Sequence, residues 1–531
     1  MGTTVQDVAR DTVNNQTAGI LQPKKRAAIK RYLEDFFERR VLGSDLYGEY
    51  DVRYGDPLFV DDQGSVRHEL AMGKSGAGKT VYLVNKALGQ IRRGGGVGVI
   101  ESKSDYEFRD MTMAMCDAYG RSLDFRCVNI DNAKESNTYS PWNRGGPDVC
   151  ASRVTGTVET GGNPSAEHFK EMAHSALQAT IGAIKHLGLS FNALDLYILL
   201  NNPNAMSWLE ERVKSRGVSE AATLYTMHLD SYRSMNKEGV LTIDLARMRQ
   251  QIGGVANRLY PYGIGDMGEV LNPYSAEVDL LRGHDESHIM FFMTPELEKS
   301  ETAKSFAKIL FSDLRSVIAQ MYRRRDADKL DIPYRWLFDE FGSYASRQIT
   351  TPLEMMRGSR IGATMFFQAS ANLVEEPLGE TFRSKIFANT DIKTFLPLGD
   401  PESMEYAADF CADALQNLKM QASGVSHAKG NKNLDFDIFH NISESATDSM
   451  TLKEQYDYRV RPTEFRDLEI GQAIIAHGKH IMKVRFPEVI LPNGIPPFSL
   501  ERIRTPYIKG LDMREMYDAA FSLEKAVSVS A

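Results

Sequence analysis

The sequence predicts an α/β fold: a mainly parallel central sheet flanked by helices and interrupted by an inserted all-α domain. Three observations carry that expectation. A glycine-rich loop stands between a short apolar run and an amphipathic stretch at residues 71–92. Two further apolar runs, Trp336–Phe338 and Thr364–Phe367, end abruptly in acidic or amide residues; such runs suit strands buried on both faces of a parallel sheet. From Asn163 to residue 262, apolar residues recur at helical spacing with few strand signals.

The chain has 531 residues, more than one core can serve, which suggests about two to four domains. It is 42% hydrophobic and 25% charged, as ordinary globular proteins are. A net charge of −8 means that any nucleic-acid contact needs a local basic surface. The four cysteines, Cys116, Cys127, Cys150 and Cys411, form no C-x-x-C pair, which excludes a zinc ribbon and a disulfide scaffold and fits a reducing compartment. The opening "MGTTVQDVARDTVNNQT" has no apolar core of a signal peptide. The most apolar long stretch, Ala176–Leu200, is broken by Lys185, His186 and Asp195, so the chain is expected to be soluble and to face the cytosol.

Taken in order, residues 1–47 read as a disordered segment followed by a helix with a basic first half, "PKKRAAIKRYLEDFFERR". Residues 48–160 form the first part of the sheet. "PLFVDDQGSV" reads as a strand with a turn at Asp61–Gly64, and "RHELAM" as the next strand. Then "GKSGAGKT", Gly73–Thr80, fits G-x-x-x-x-G-K-[ST]. Only Lys79 is in register, because a frame on Lys74 would need glycine where His68 stands. In such a loop the backbone N–H groups of Gly73, Lys74, Ser75, Gly76, Ala77 and Gly78 surround phosphate oxygens at a helix N-terminus. Lys79 reaches the β- and γ-phosphates, and the Thr80 hydroxyl holds Mg²⁺. Val81, Leu83, Val84, Ala87, Leu88 and Ile91 mark the following helix, which Gly94 ends.

Residues 161–264 read as the helical insertion. Asn163-Pro164 offers a cap and a first-turn proline, and Phe169, Met172, Leu177, Ile181 and Ile184 mark a buried face. Residues 265–491 return to the sheet. Asp339, at the end of its strand, is placed to hold Mg²⁺ through water, and Glu340 to polarise an attacking water. Gln368 ends the next strand, where its amide could sense a γ-phosphate. Between these strands, Arg357 and Arg360 are candidates for an arginine finger that acts on a neighbouring subunit's nucleotide. No N-K-x-D motif follows, which favours ATP over GTP. Residues 424–450 read as a polar loop, and residues 492–531, with Pro492, Pro496 and Pro497, as a tail ending in a short helix.

These stretches, in this order, resemble the type IV secretion and conjugation coupling proteins, the TraD/TraG-type ATPases of the FtsK/HerA-like group. The likeness runs over residues 48–150 and 285–490. It is carried by "YGDPLFVDDQGSVRHELAMGKSGAGKT", "GGGVGVIESKSDYEFRDMTMAMCDAYGR", "LFDEFG", "RIGATMFFQASANL" and "LEIGQAIIAHGKHIMKVRFPEV". The resemblance implies a RecA-like P-loop NTPase that forms a ring, a hexamer, with ATP and Mg²⁺ between subunits. It further implies transfer of DNA, single-stranded or relaxosome-bound, with relaxase or effector-protein substrates, toward a type IV secretion channel at a bacterial inner membrane. The chain departs from the family in three places. It opens without the usual transmembrane helices, Ser140-Pro141 replaces the N-P motif, and Glu101 stands where an aspartate is common. Two other readings stay open: a receptor that sorts protein substrates without moving DNA, and a chromosomal DNA translocase.

Overall fold

The computed structural model describes residues 62–513, apart from 104, 159–162, 236–238, 295, 375–377, 412, 425–446, 479 and 492–493. The N-terminal segment and basic helix, the strand expected before residue 61 and the helix expected after residue 513 lie outside the described residues. The turn expected at Asp61–Gly64 is instead a single helical turn, Asp62–Ser65.

Among the described residues, nine strands build the central sheet, in the order β13-β12-β9-β1-β8-β7-β2-β6-β3. β1 (Glu69–Met72), β2 (Val97–Glu101), β3 (Phe125–Asn129), β6 (Ile289–Met293), β7 (Tyr334–Phe338), β8 (Ile361–Phe367) and β9 (Ile392–Phe395) are mutually parallel. β12 (Gln472–His477) and β13 (His480–Arg485) close one edge as an antiparallel hairpin. β1, β2, β3 and β6 to β9 are buried along their whole length. This is why their sequences read as unbroken apolar runs rather than as alternation.

α1 (Lys79–Arg92) and α2 (Tyr106–Ala118) cover one face of the sheet through Tyr82, Leu83, Val84, Ala87, Ile91 and Phe108. α9 (Glu296–Tyr322) lies on the other, where Phe306, Leu310, Leu314 and Val317 join Trp336 and Phe338 in one core.

Between β3 and β6 the chain is helical: α3 (Pro147–Thr155), α4 (Pro164–His186), α5 (Ala193–Asn201), α6 (Pro203–Ser215), α7 (Glu220–Asp230) and α8 (Leu245–Leu259). Asn163 caps α4 by accepting from Ser165 N–H (2.9 Å), with Pro164 in the first turn. Leu177, Ile181 and Ile184 are buried, whereas Phe169 is exposed, because the first turns of α4 extend beyond the helices it packs on. One small hairpin, β4 (Arg233–Met235) with β5 (Leu241–Ile243), interrupts the helices. The insertion shares a continuous core with the sheet. A buried knot adds to this: Arg153 of α3 and Arg144 both pair with Asp313 of α9, whose other oxygen accepts from Tyr139 (2.8 Å).

After α10 (Glu380–Ala388), β9 and α11 (Pro401–Cys411), two strands reach into the borders of the expected polar loop, whose residues 425–446 lie outside the described residues. β10 (Asp413–Gly424) and β11 (Thr447–Tyr458) pair antiparallel along their whole length. Polar strands of this kind lack the apolar alternation by which a sequence announces a strand.

The expected tail is also docked. Phe498 lies against Arg109 of α2 (3.6 Å), and Asn137 donates to Glu501 O (3.1 Å). Glu277 accepts from Ile503 N–H (2.8 Å) and pairs with Arg502. Leu511 N–H donates to Ser190 O (2.8 Å), and Met513 N–H to Asp195 of α5 (3.0 Å).

Two buried histidines are fixed as neutral rings. Ala363 N–H donates to His68 Nδ1 (3.1 Å), so Nε2 carries the proton and donates to Leu353 O (2.8 Å). The Trp336 indole donates to His284 Nε2 (3.1 Å), so Nδ1 carries the proton and donates to Leu280 O. In each ring a donor-only group occupies the nitrogen that acid would protonate. Burial pushes both pKa values down to about 4. The unfolded chain titrates near 6.5, so this stability is complete above pH 6.5 and is lost as pH falls toward 4. His68→Gln should therefore show a flatter decline in thermal midpoint than the parent between pH 6.5 and pH 4. The paired comparison isolates the ring, because burial pushes Glu101 up to about 7 and Asp195 up to about 6, which gives the opposite slope in that range.

Candidate nucleotide-binding site

The loop from Gly73 to Thr80 joins β1 to α1 at the carboxyl edge of the parallel strands, where open α/β sheets bind ligands. Gly73 and Lys74 are tied by N–H bonds to Phe367 O (3.3 Å), at the end of β8, and to Pro397 O (2.9 Å), just past β9. Gly76 and Gly78 have φ of 76° and 89°, left-handed values that glycine adopts without strain. A Cβ on Gly73 would come within 2.8 Å of Leu396. The motif glycines are thus required by backbone shape and close packing, as a phosphate cradle demands. The first turn of α1 adds its unpaired amides and the positive end of its dipole.

β7 and β8 bring the other groups to the same edge. Lys79 Nζ lies 2.9 Å from Asp339 Oδ1 and also contacts Glu340 Oε1. Gln368 Nε2 donates to both Glu340 oxygens, at 3.1 and 3.2 Å. Glu340 sits at φ 47°, one of four non-glycine residues with positive φ among those described. Such a conformation is held only by strong surroundings and is frequent at functional sites. Burial pushes the Asp339 carboxyl above the usual range, with Lys79 opposing. Burial also works against the charged form of Glu340, but Lys79, Lys103 and Gln368 outweigh it and hold its pKa down.

Lys79, Asp339, Glu340 and Gln368 therefore form one cluster, with Thr80 one residue from Lys79. Arg357 and Arg360 do not join it. They precede β8, whereas Gln368 follows it, and a strand of that length separates its ends by about 20 Å. Arg357 is exposed and 4.0 Å from Asp391; Arg360, at φ 56°, donates to Asp331 O (2.8 Å).

The sequence-level site omitted Lys103, whose ammonium contacts Glu340 Oε1. It also omitted a buried charge cluster at the start of β1: Glu69 pairs with Arg335 of β7 (2.8 Å) and Lys86 of α1 (2.9 Å). Thr394 donates to the other Glu69 oxygen (2.6 Å). A glutamate inside an apolar strand was the available signal for the second.

Residues 333–454 match the family described as the TraM recognition site of TraD and TraG. Type 4 coupling protein DotL of Legionella pneumophila subsp. pneumophila (strain Philadelphia 1) is 21% identical over 403 residues, which cover 66% of this chain and 50% of DotL. The chain is a relative of the type IV coupling proteins. It spans half the length of that curated coupling protein. Two solved structures of the coupling protein TrwB share its fold. Unbound TrwBdeltaN70 gives a TM-score of 0.55 at 14% identity, over 82% of this chain and 87% of that one. TrwB in complex with ADP and Mg²⁺ gives 0.54 at 13%, over 81% and 87%. The fold is thus the RecA-like P-loop arrangement with a helical insertion. Among the described residues, no helix is long and apolar enough to cross a membrane.

Proposed function

We propose that the chain is an ATP-hydrolysing coupling protein of a type IV secretion or conjugation system. It forms a ring, a hexamer, that moves DNA with attached protein toward the channel, as a peripheral protein of the bacterial inner membrane. Relaxase or effector proteins and channel components are its partners. The observation that carries this reading is the convergence of Lys79, Asp339, Glu340 and Gln368 at the mouth of a glycine loop. The units proposed are residues 48–160 and 265–491 for the motor, 161–264 for the insertion and 492–531 for the tail.

The residues present fit ATP and Mg²⁺: the cradle is closed to a Cβ at Gly73, and the Thr80 hydroxyl and the buried Asp339 carboxylate form an oxygen donor set. Bound ATP with Mg²⁺ would supply a charge-neutralised γ-phosphate open to attack by water. Lys79 leaves its two carboxylates to hold the phosphates. Glu340 Oε2, the oxygen that neither lysine contacts, accepts the proton of the attacking water. Gln368 orients that carboxylate.

The test is ATP hydrolysis by the purified chain at low salt, with and without single- and double-stranded DNA, using Lys79→Ala as the blank. A DNA-dependent rise that salt abolishes supports the motor. Hydrolysis that ignores DNA would make the chain a protein-sorting receptor, a reading that the net charge of −8 favours. Arg357, exposed and remote from this chain's own cradle, is proposed to act on a neighbour's nucleotide. In mixed rings, Arg357→Ala subunits should still turn over, but the nucleotide each arginine faces should lose about 10³-fold or more in rate. Equal loss in every subunit, whatever the mixing ratio, would rule out action in trans.

A further inference from the structure

The site holds a second lysine for which the hydrolytic reading has no use. Asp339 and Glu340 are both buried, and two cations balance them: Lys79 and Lys103. The two lysines arrive differently. Lys79 begins α1, beside the phosphate cradle. Lys103 stands in the loop after β2, the strand adjacent to β7, and its side chain is 44% exposed.

That loop is built to present Lys103. Glu101, fully buried at the end of β2, accepts Lys103 N–H on Oε1 (2.6 Å) and Asp105 N–H on Oε2 (2.9 Å). Asp105 in turn caps α2 by accepting from Phe108 N–H (3.1 Å). The Glu101 carbonyl is held by Thr294 N–H (2.8 Å), and Ser343 Oγ donates to Ser102 Oγ (3.3 Å), which ties the loop to the segment just past Glu340. One buried carboxylate therefore fixes the backbone on both sides of Lys103, so that its side chain meets Glu340 from the side opposite the cradle.

We propose that Lys103 is a positioning residue for hydrolysis: it keeps hold of Glu340 Oε1 when Lys79 transfers to the phosphates. Without a second cation, the departure of Lys79 would leave Glu340 held by Gln368 alone, in a strained left-handed backbone conformation. With it, Oε1 stays anchored and Oε2 faces the water. The proposal rests on Glu340 as the base. Its role is separable from nucleotide binding, because Lys103 acts on the carboxylate and not on the phosphates.

The experiment compares Lys103→Ala and Lys103→Arg with the parent in steady-state ATPase assays. In parallel, a fluorescent ATP analogue and a fluorescent ADP analogue are titrated with and without Mg²⁺. Lys103→Ala is expected to lower kcat by about tenfold to a hundredfold while both analogue affinities stay within about twofold of the parent. Lys103→Arg should recover most of the lost rate, because a guanidinium can make the same contact. Combined with Glu340→Gln, Lys103→Ala should add nothing further. Weakened binding of the ATP analogue alone would place Lys103 on the γ-phosphate and overturn the proposal, as would an unchanged kcat. If Glu340→Gln alone keeps the parental rate, the base assignment itself fails and the proposal falls with it, an outcome distinct from a silent Lys103.

Discussion

Lys79→Ala is expected to cut ATP turnover by about 10²–10³-fold, since it removes the cation that begins α1 and links the cradle to the acidic pair. Glu340→Gln should lose a comparable factor, about 10²–10⁴, by a different route. The amide keeps the shape and still accepts from Lys79 and Lys103 but takes up no proton. The two variants separate in binding. Lys79→Ala should bind a fluorescent ATP analogue weakly, whereas Glu340→Gln should bind it at least as tightly as the parent and trap it. Turnover by Glu340→Gln at the parental rate would remove Glu340 from the chemistry and move the search for the base to other groups at that edge.

Glu69→Ala is expected to be the most damaging single change to stability. Glu69 is fully buried, between Arg335 and Lys86, with Thr394 donating to it. Burial alone would raise its pKa, but Lys86 and Arg335 reverse this and hold it down at about 2. Removing the carboxylate leaves two cations in the core without a counter-charge, a loss of about 3–5 kcal/mol. Denaturant titration should show it as a lower midpoint with an unchanged slope. Replacing Glu69, Lys86 and Arg335 together by apolar residues of similar volume should cost far less, because no orphaned charge remains. If the single and triple variants were equally unstable, packing rather than charge would account for the loss. The acid limb carries the same signature. This stabilisation is present above pH 4.5, the ordinary glutamate value, and disappears as pH falls through about 2.

These two sites also show what a sequence discloses. Lys79, Asp339, Glu340 and Gln368 were legible because each closes a short buried strand or opens a helix at a fixed spacing from glycines. Local chemistry specifies them. Glu69, Lys86 and Arg335 were not, since their pairing depends on β8 lying between β1 and β7 and on α1 crossing above β1. Lys103 needed the adjacency of β2 and β7, which are separated by more than two hundred residues of chain. The order of the strands, not their existence, was the missing information. The polar ladder of β10 and β11 failed for another reason: its strands carry no apolar period. Where the tail docks was not legible, because it packs by isolated bonds from backbone amides to Glu277, Ser190 and Asp195, and such bonds leave no composition signal.

That tail sets a limit on motion. Its chain leaves β13 beside the glycine loop, crosses α2 at Phe498 and ends its described course on α5. A peptide stretches no further than about 3.3–3.6 Å per residue. The segment spans from the nucleotide cradle to the helical insertion like a guy-line, held at Arg109, Glu277, Ser190 and Asp195. For the insertion to tilt away from the sheet, the line must either pay out slack or lift off Ser190 and Asp195. A change of shape at the cradle that moves β13 thus has a second route to the insertion, along the chain and outside the core between them.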